Sequence, residues 1–174
     1  RPPVAVHRLD TDTSGCLLLA RNPKALARFN KAFEDRLVGK TYLAILAGHP
    51  QGTEGTIELS LSKISSAEKG WRMIPAKKGK PAVSHWELVG ELGPHSLIRF
   101  RPETGRTHQL RVHALAGLGA ALLGDPIYGA GNAPGAKRTM LHAESLTVTR
   151  PGKTPIEARA ALPADFIALG AKDG

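Results

Sequence analysis

A chain of 174 residues can bury a single core without covalent staples, and its one cysteine, Cys16, excludes an intramolecular disulfide framework. Lysine and arginine outnumber aspartate and glutamate by 24 to 15, a net charge of +9 that favours a polyanionic partner such as nucleic acid. Aromatic residues make up only 5%, too few for a sheet that holds RNA by stacking several bases in the manner of an RNA-recognition motif.

Residues 4–6 and 16–20 are predicted as short buried strands, with Cys16 as a small apolar filler. Between them His7-Arg8-Leu9-Asp10-Thr11-Asp12-Thr13-Ser14-Gly15 crowds an imidazole, a guanidinium, two carboxylates and several hydroxyls into one turn. Scaffolds display reactive groups on such loops. Asn22 followed by Pro23 predicts a helix start. Leu26, Phe29, Phe33 and Leu37 recur at steps of three and four, so one apolar face runs to about Val38, with Gly39 as the stop. Residues 40–46 are predicted as a strand, 56–62 as an alternating strand, 63–70 as a polar loop and 71–74 as a weaker strand.

Lys77, Lys78 and Lys80, just before Pro81, form a basic turn that reads either as a soluble hairpin tip or as a phosphate-contacting finger. A strand pair follows at 82–92 and 96–101, around Gly93-Pro94. Thr107 is the expected N-cap of a helix ending near Gly117 or Gly119. Residues 124–129 form a rigid loop and 131–137 a mobile one; strands at 140–149 and 156–160 and a short helix from 163 complete the chain. No repeat or linker divides it. The expectation is one domain over 1–174, of class α+β, on a largely antiparallel or mixed sheet.

Several chemistries lack their signatures. His108 and His113 stand five apart, the wrong step for a shared helical face, and no zinc-type spacing occurs, so no metal is expected. There is no phosphate loop, dinucleotide fingerprint or nucleophile elbow. The longest apolar-rich run, 114–124, falls short of the roughly 20 residues that a membrane helix needs. A cytoplasmic protein without membrane contact is expected.

What remains is the 7–15 loop and the segment 106–113. Asp12, between threonines and beside Ser14, reads as a turn-former bonding its own backbone, and Asp10 as the carboxylate facing the interior. A buried Asp10 needs a cation, which Arg111 or Arg106 could supply, in either a catalytic or a purely structural pair.

His7-Arg8-Leu9-Asp10-x-x-Thr13-Ser14-Gly15 resembles the signature of the RluA-type RNA pseudouridine synthases. Lys40-Thr41-Tyr42-Leu43-Ala44, Gly105-Arg106-Thr107-His108-Gln109-Leu110-Arg111-Val112-His113, Gly124-Asp125-Pro126-x-Tyr128-Gly129 and Met140-Leu141-His142-Ala143 match further family motifs in the family's order. The resemblance implies an α+β catalytic domain: a long bent mixed sheet, mostly antiparallel, with flanking helices and a central active-site cleft. It implies isomerisation of a uridine within RNA to pseudouridine, without metal, nucleotide or other cofactor. By position, Asp10 is the catalytic aspartate, Tyr42 lies against the target base, and Arg111 pairs with Asp10 to keep it ionised and oriented. Leu110 belongs to the apolar wall against the uracil. Arg8 fills the space that the flipped base vacates, and Arg106, His108, Lys77, Lys78 and Lys80 contact RNA. The expected partner is 23S ribosomal RNA; the alternatives are transfer RNA or a non-catalytic RNA-binding or RNA-folding role. A monomer is expected. Family members have an earlier strand, and some an S4 domain, before this region. The chain starts at Arg1 and is read as a piece without them.

Overall fold

The computed structural model describes residues 1–172. β1 (Val4–Ala5) leads into the polar loop, which ends in β2 (Ser14–Gly15), and β3 (Leu19–Ala20) returns antiparallel to β1. The helix α1 (Pro23–Glu34) starts as expected, Asn22 Oδ1 accepting from the Ala25 amide at 2.9 Å. It ends earlier than the apolar spacing predicts. Arg36 adopts a left-handed φ of 55°, and the Leu37 amide bonds back to the Ala32 carbonyl. Val38 and Gly39 therefore open β4 (Val38–Leu46) instead of closing the helix, because they pair with Val148 and Thr147 of a later strand.

The predicted single strand at 56–62 is in fact two. β5 (Glu54–Glu58) pairs with β8 (Val83–Leu92), while β6 (Leu61–Ser66) forms a separate hairpin with β7 (Gly70–Pro75). Most of the expected polar loop is thus strand. An exposed hairpin has little need of an apolar face, and that is why the polar run masked it. The basic turn at 77–80 lies beyond this hairpin, not at its tip; Leu61 and Lys80 exchange backbone hydrogen bonds at 2.9 Å. β8 and β9 (His95–Pro102) form the expected antiparallel pair. α2 (Gln109–Leu118) is capped by His108 in a left-handed conformation, not by Thr107, and closes at Gly119. The expected mobile loop at 131–137 is a turn closed by reciprocal Ala133–Ala136 backbone bonds, with Ala136 fully buried. β10 (Leu141–Val148), β11 (Ile156–Arg159) and α3 (Ala164–Ala168) complete the order.

The main sheet runs β11-β10-β4-β9-β8-β5, antiparallel throughout, with β2 added parallel to β10. This is the mixed sheet of an α+β fold. Alternation along its central strands buries both faces. Ala44, Leu46, Ile98 and Phe100 pack with Leu110, Ala114 and Leu118 of α2. Leu43, Ile45 and Leu97 pack on the other side with Met140, Leu162 and Phe166.

One edge of β10 serves two partners. Ser145 to Val148 pair with β11, and His142 and Ala143 pair with β2; on the opposite edge the register against β4 shifts between Ala143 and Ser145. Gly15 makes the second junction. Its φ is 113°, and a Cβ there would lie 2.1 Å from the Ala143 carbonyl oxygen. Gly15→Ala is expected to lower unfolding free energy by about 3 kcal/mol, combining a left-handed alanine with a backbone collision. Chemical denaturation would show this, and a change under about 0.5 kcal/mol would contradict the close approach.

Candidate active site

A cleft of about 560 Å³ opens on the α2 side of the sheet. The 7–15 loop supplies His7, Arg8, Leu9, Asp10 and Thr13; β4 supplies Val38, Lys40 and Tyr42; the turn before α2 supplies Thr104 to Thr107. Leu110 and Leu141 line its apolar wall. Tyr42 sits mid-sheet, its backbone paired with Phe100 of β9 and Ala143 of β10 and its side chain packed against the core on the cleft side.

Of the residues expected from sequence, Asp10, Tyr42, Leu110, Arg8 and Arg106 share this cleft. Burial, then the Asp10 charge, then Cys16, push the Tyr42 phenol up to about 12. The effect of Asp10 on Tyr42 marks the two as electrostatic neighbours.

Arg111 departs from expectation. Its guanidinium is forked onto Asp125, with Nε donating to Oδ2 at 2.7 Å and Nη2 to Oδ1 at 2.8 Å. Asp125 also accepts from the amides of Ile127 and Tyr128 and is fully buried. Among the described residues, no basic side chain forms an ion pair with Asp10. Burial disfavours the Arg111 charge, yet the bonds and charge of Asp125, with Asp10 adding, hold its pKa above the ordinary arginine value. Arg111 therefore gives its hydrogen bonds to Asp125 and is reached by Asp10 only through charge.

His108 also departs. It is buried and outside the cleft lining, stacked at 4.9 Å on Trp71. Tyr128 Oη accepts from the Met73 amide and shares a hydrogen bond with His108 Nδ1 at 2.8 Å. Stacked on Trp71, met edge-on by Tyr128 and bonded through Nδ1, His108 is held at the start of α2 with little of its surface exposed. Lys77, Lys78 and Lys80 are exposed and outside the cleft. Arg106 links them to it, its Nε donating to the Pro81 carbonyl at 2.8 Å.

The turn that carries Arg106 is held from behind. Gln109 Oε1 accepts from the Arg106 amide and from Thr104 Oγ1, while Gln109 Nε2 donates to Val83 O and Ser84 Oγ. Ser84 in turn bonds His113 Nδ1, and His113 Nε2 donates to the Leu59 carbonyl. Each buried polar atom in this chain has its partner, which makes the turn stiff.

Lys40 is a cleft residue that sequence reasoning passed over, having treated it only as a strand residue beside the tyrosine. It lies on the same face as Tyr42, with Nζ 5.9 Å from the centre of the Phe33 ring. Burial lowers its pKa, its charge lowers that of His7, and among the described residues it forms no ion pair. Its spacing of two from Tyr42 was the available signal.

The model of the family described as RNA pseudouridylate synthase matches residues 1–116. An uncharacterised RNA pseudouridine synthase of Zymomonas mobilis is 55% identical over 98% of this chain and 78% of its own length. Ribosomal large subunit pseudouridine synthase D of the same organism is 41% identical over 73% of this chain and 39% of its own length. Of several further relatives the chain spans about half the length. Among solved structures, human RNA pseudouridylate synthase domain containing 1 superposes with a TM-score of 0.77 at 33% identity, covering 93% of this chain and 70% of that one.

Asp125→Asn leaves the Arg111 charge buried without its counter-ion and is expected to destabilise the protein by about 3–5 kcal/mol. A double change to apolar residues at 111 and 125 should recover much of that; equal losses in single and double variants would contradict the pairing. Burial holds the pKa of His7, His108 and His113 below the ordinary 6.5. Their neutral forms stabilise the fold fully above that pH. Stability falls as pH drops from 6.5 through the lowered folded values, because the unfolded chain takes up protons first. Thermal unfolding temperatures that stay level from about pH 8 to 5 would refute this.

Proposed function

The chain belongs to the RNA pseudouridylate synthase family, and on that premise we propose that it isomerises a uridine within RNA to pseudouridine, the target lying in 23S ribosomal RNA. The observation that carries the reading is the convergence of Asp10, Tyr42 and Leu110 on one cleft whose lining also holds Arg8, Lys40 and Arg106. The ribosomal target is supported by relatives named ribosomal large subunit pseudouridine synthase C and D. A transfer-RNA target would use the same chemistry.

The reaction breaks the bond from ribose C1′ to uracil N1, joins C1′ to C5, releases the C5 proton and takes up a proton at N1. The Asp10 carboxylate either attacks C1′ or stabilises its developing positive charge, the two roles carboxylates take in glycoside cleavage. Tyr42, protonated at neutral pH because its pKa is about 12, meets the base as a hydrogen-bond donor. Leu110 and Leu141 give the detached uracil a wall on which to turn without competing hydrogen bonds. A uridine within folded RNA must first leave its stack, at a cost of a few kcal/mol, and Arg8 at the cleft mouth fills the gap. Lys40 and Arg106 meet the phosphates on either side, and Lys77, Lys78 and Lys80 extend that contact outward.

A non-catalytic RNA-binding role is the rival reading. Phosphate binding has no use for a carboxylate in the lining of the groove, and Asp10 is part of that lining.

Release of tritium from RNA labelled at uridine C5 tests the enzyme reading, and no release from total RNA lacking the modification would defeat it. Mapping pseudouridines in RNA from cells with and without the gene separates ribosomal from transfer-RNA targets. Asp10→Asn should abolish turnover while RNA affinity stays within about threefold. Lys40→Met should instead weaken RNA binding by about tenfold, since one phosphate contact is lost. Affinity should fall steeply with salt in both proteins; a salt-independent affinity would contradict phosphate recognition.

A further inference from the structure

Arg138 lies outside the cleft lining, yet each nitrogen of its guanidinium is engaged, two of them on the 7–15 loop. Nη1 donates to the Asp12 carbonyl at 2.6 Å and also to the carbonyls of Thr139 and Leu141. Nη2 donates to Ser14 Oγ at 3.1 Å and to Asp165 Oδ1 at 3.3 Å, while Nε donates to Asp165 Oδ2 at 2.8 Å. Its guanidinium carbon stands 5.6 Å from the centre of the Phe166 ring. One side chain thereby joins the loop, the start of β10 and the helix α3.

The joint meets the loop where its backbone is most unusual. Asp12 has a φ of 69°, a left-handed conformation for a non-glycine residue, and it is followed within three positions by Gly15 at 113°. Such a conformation persists only when the surroundings hold it. The turn between Asp10 and Thr13 is closed by a bond from the Thr13 amide to the Asp10 carbonyl, so fixing Asp12 fixes the backbone of Asp10. Ser14 extends the grip. Its hydroxyl accepts from Arg138 and donates to His142 Nδ1 at 2.8 Å, and His142 Nε2 donates to the Ala160 carbonyl.

We propose that Arg138 is a positioning residue for Asp10: a clamp, braced by Asp165, that holds the carboxylate at its working place in the cleft. It touches neither substrate nor reacting atoms. Its planar fork spans carbonyls and a carboxylate at once, which a lysine ammonium cannot do. The kinetic consequence rests on the isomerase reading; the clamp itself does not.

Arg138→Lys and Asp165→Asn, compared with wild type, test the proposal by three measurements: amide hydrogen exchange at Thr13 and Cys16, RNA affinity, and the single-turnover rate of tritium release. Thr13 and Cys16 donate to the Asp10 and Ala143 carbonyls, so their amides report the loop directly. In Arg138→Lys both should exchange at least about tenfold faster, and the rate should fall by about 10–100-fold, since a displacement near 1 Å suffices for that. RNA affinity should stay within about threefold, as expected when ground-state binding is untouched. Asp165→Asn loosens the brace but leaves the carbonyl contacts, and should give smaller changes in the same direction. Unchanged exchange and rate in both variants, or a loss of affinity equal to the loss of rate, overturns the clamp. If Arg138→Lys does not fold, Asp165→Asn decides. A wild-type protein that releases no tritium defeats the isomerase reading alone, because the exchange measurement still reads the clamp.

Discussion

The parallel contact of Ser14 and Gly15 with His142 and Ala143 is the constraint on which the cleft depends. It is only two residues long, yet it brings the loop bearing Asp10 to the strand that also flanks Tyr42. The contact has room because β11 pairs only with Ser145 to Val148, which leaves His142 and Ala143 on that edge for β2. It closes because Gly15 has no side chain to meet the Ala143 carbonyl, and because the Cys16 amide then bonds that same oxygen at 2.9 Å. Edges of sheets are usually exposed hazards. Here the edge is the socket for the reactive loop.

Around this socket the charges divide by task. Arg111 with Asp125, and Arg99 with Glu144, are forked, hydrogen-bonded pairs whose neighbours satisfy the remaining lone pairs. Such groups hold shape and are poorly suited to binding anything else. Lys40 is partly desolvated without forming an ion pair, an arrangement that favours an arriving anion. Asp10 lies in the same cleft without an ion-paired cation, close enough to Tyr42, His108 and Arg111 for its charge to act on each. A +9 chain thus uses part of its basic excess to build the frame and presents another part to the cleft and its rim.

Much of this was legible in the sequence, for identifiable reasons. Composition marked 40–46 as a strand, the Gly93-Pro94 turn marked the pair around it, and Asn22-Pro23 marked the start of α1. Spacing could not show that Val38 and Gly39 would join a sheet, because their partners Val148 and Thr147 lie more than a hundred positions away. The same distance concealed the clamp: nothing local about Arg138 connects it to Asp12. Arg111 shows the converse error. Resemblance assigned it to Asp10, whereas the loop at 124–129 delivers Asp125 into its fork. Residue types identified the cleft's members; long-range pairing decided who holds whom.

The contacts that order the 7–15 loop join residues 12–16 to residues 138–144, and Arg138 carries the connection on to Asp165. Bringing such distant segments together carries an entropic cost that must be met before the contacts repay it. The loop is therefore synthesised well before the strand that gives it a shape. The conformation of the segment around Asp10 is thus written at the far end of the chain, by residues that share no local sequence with it.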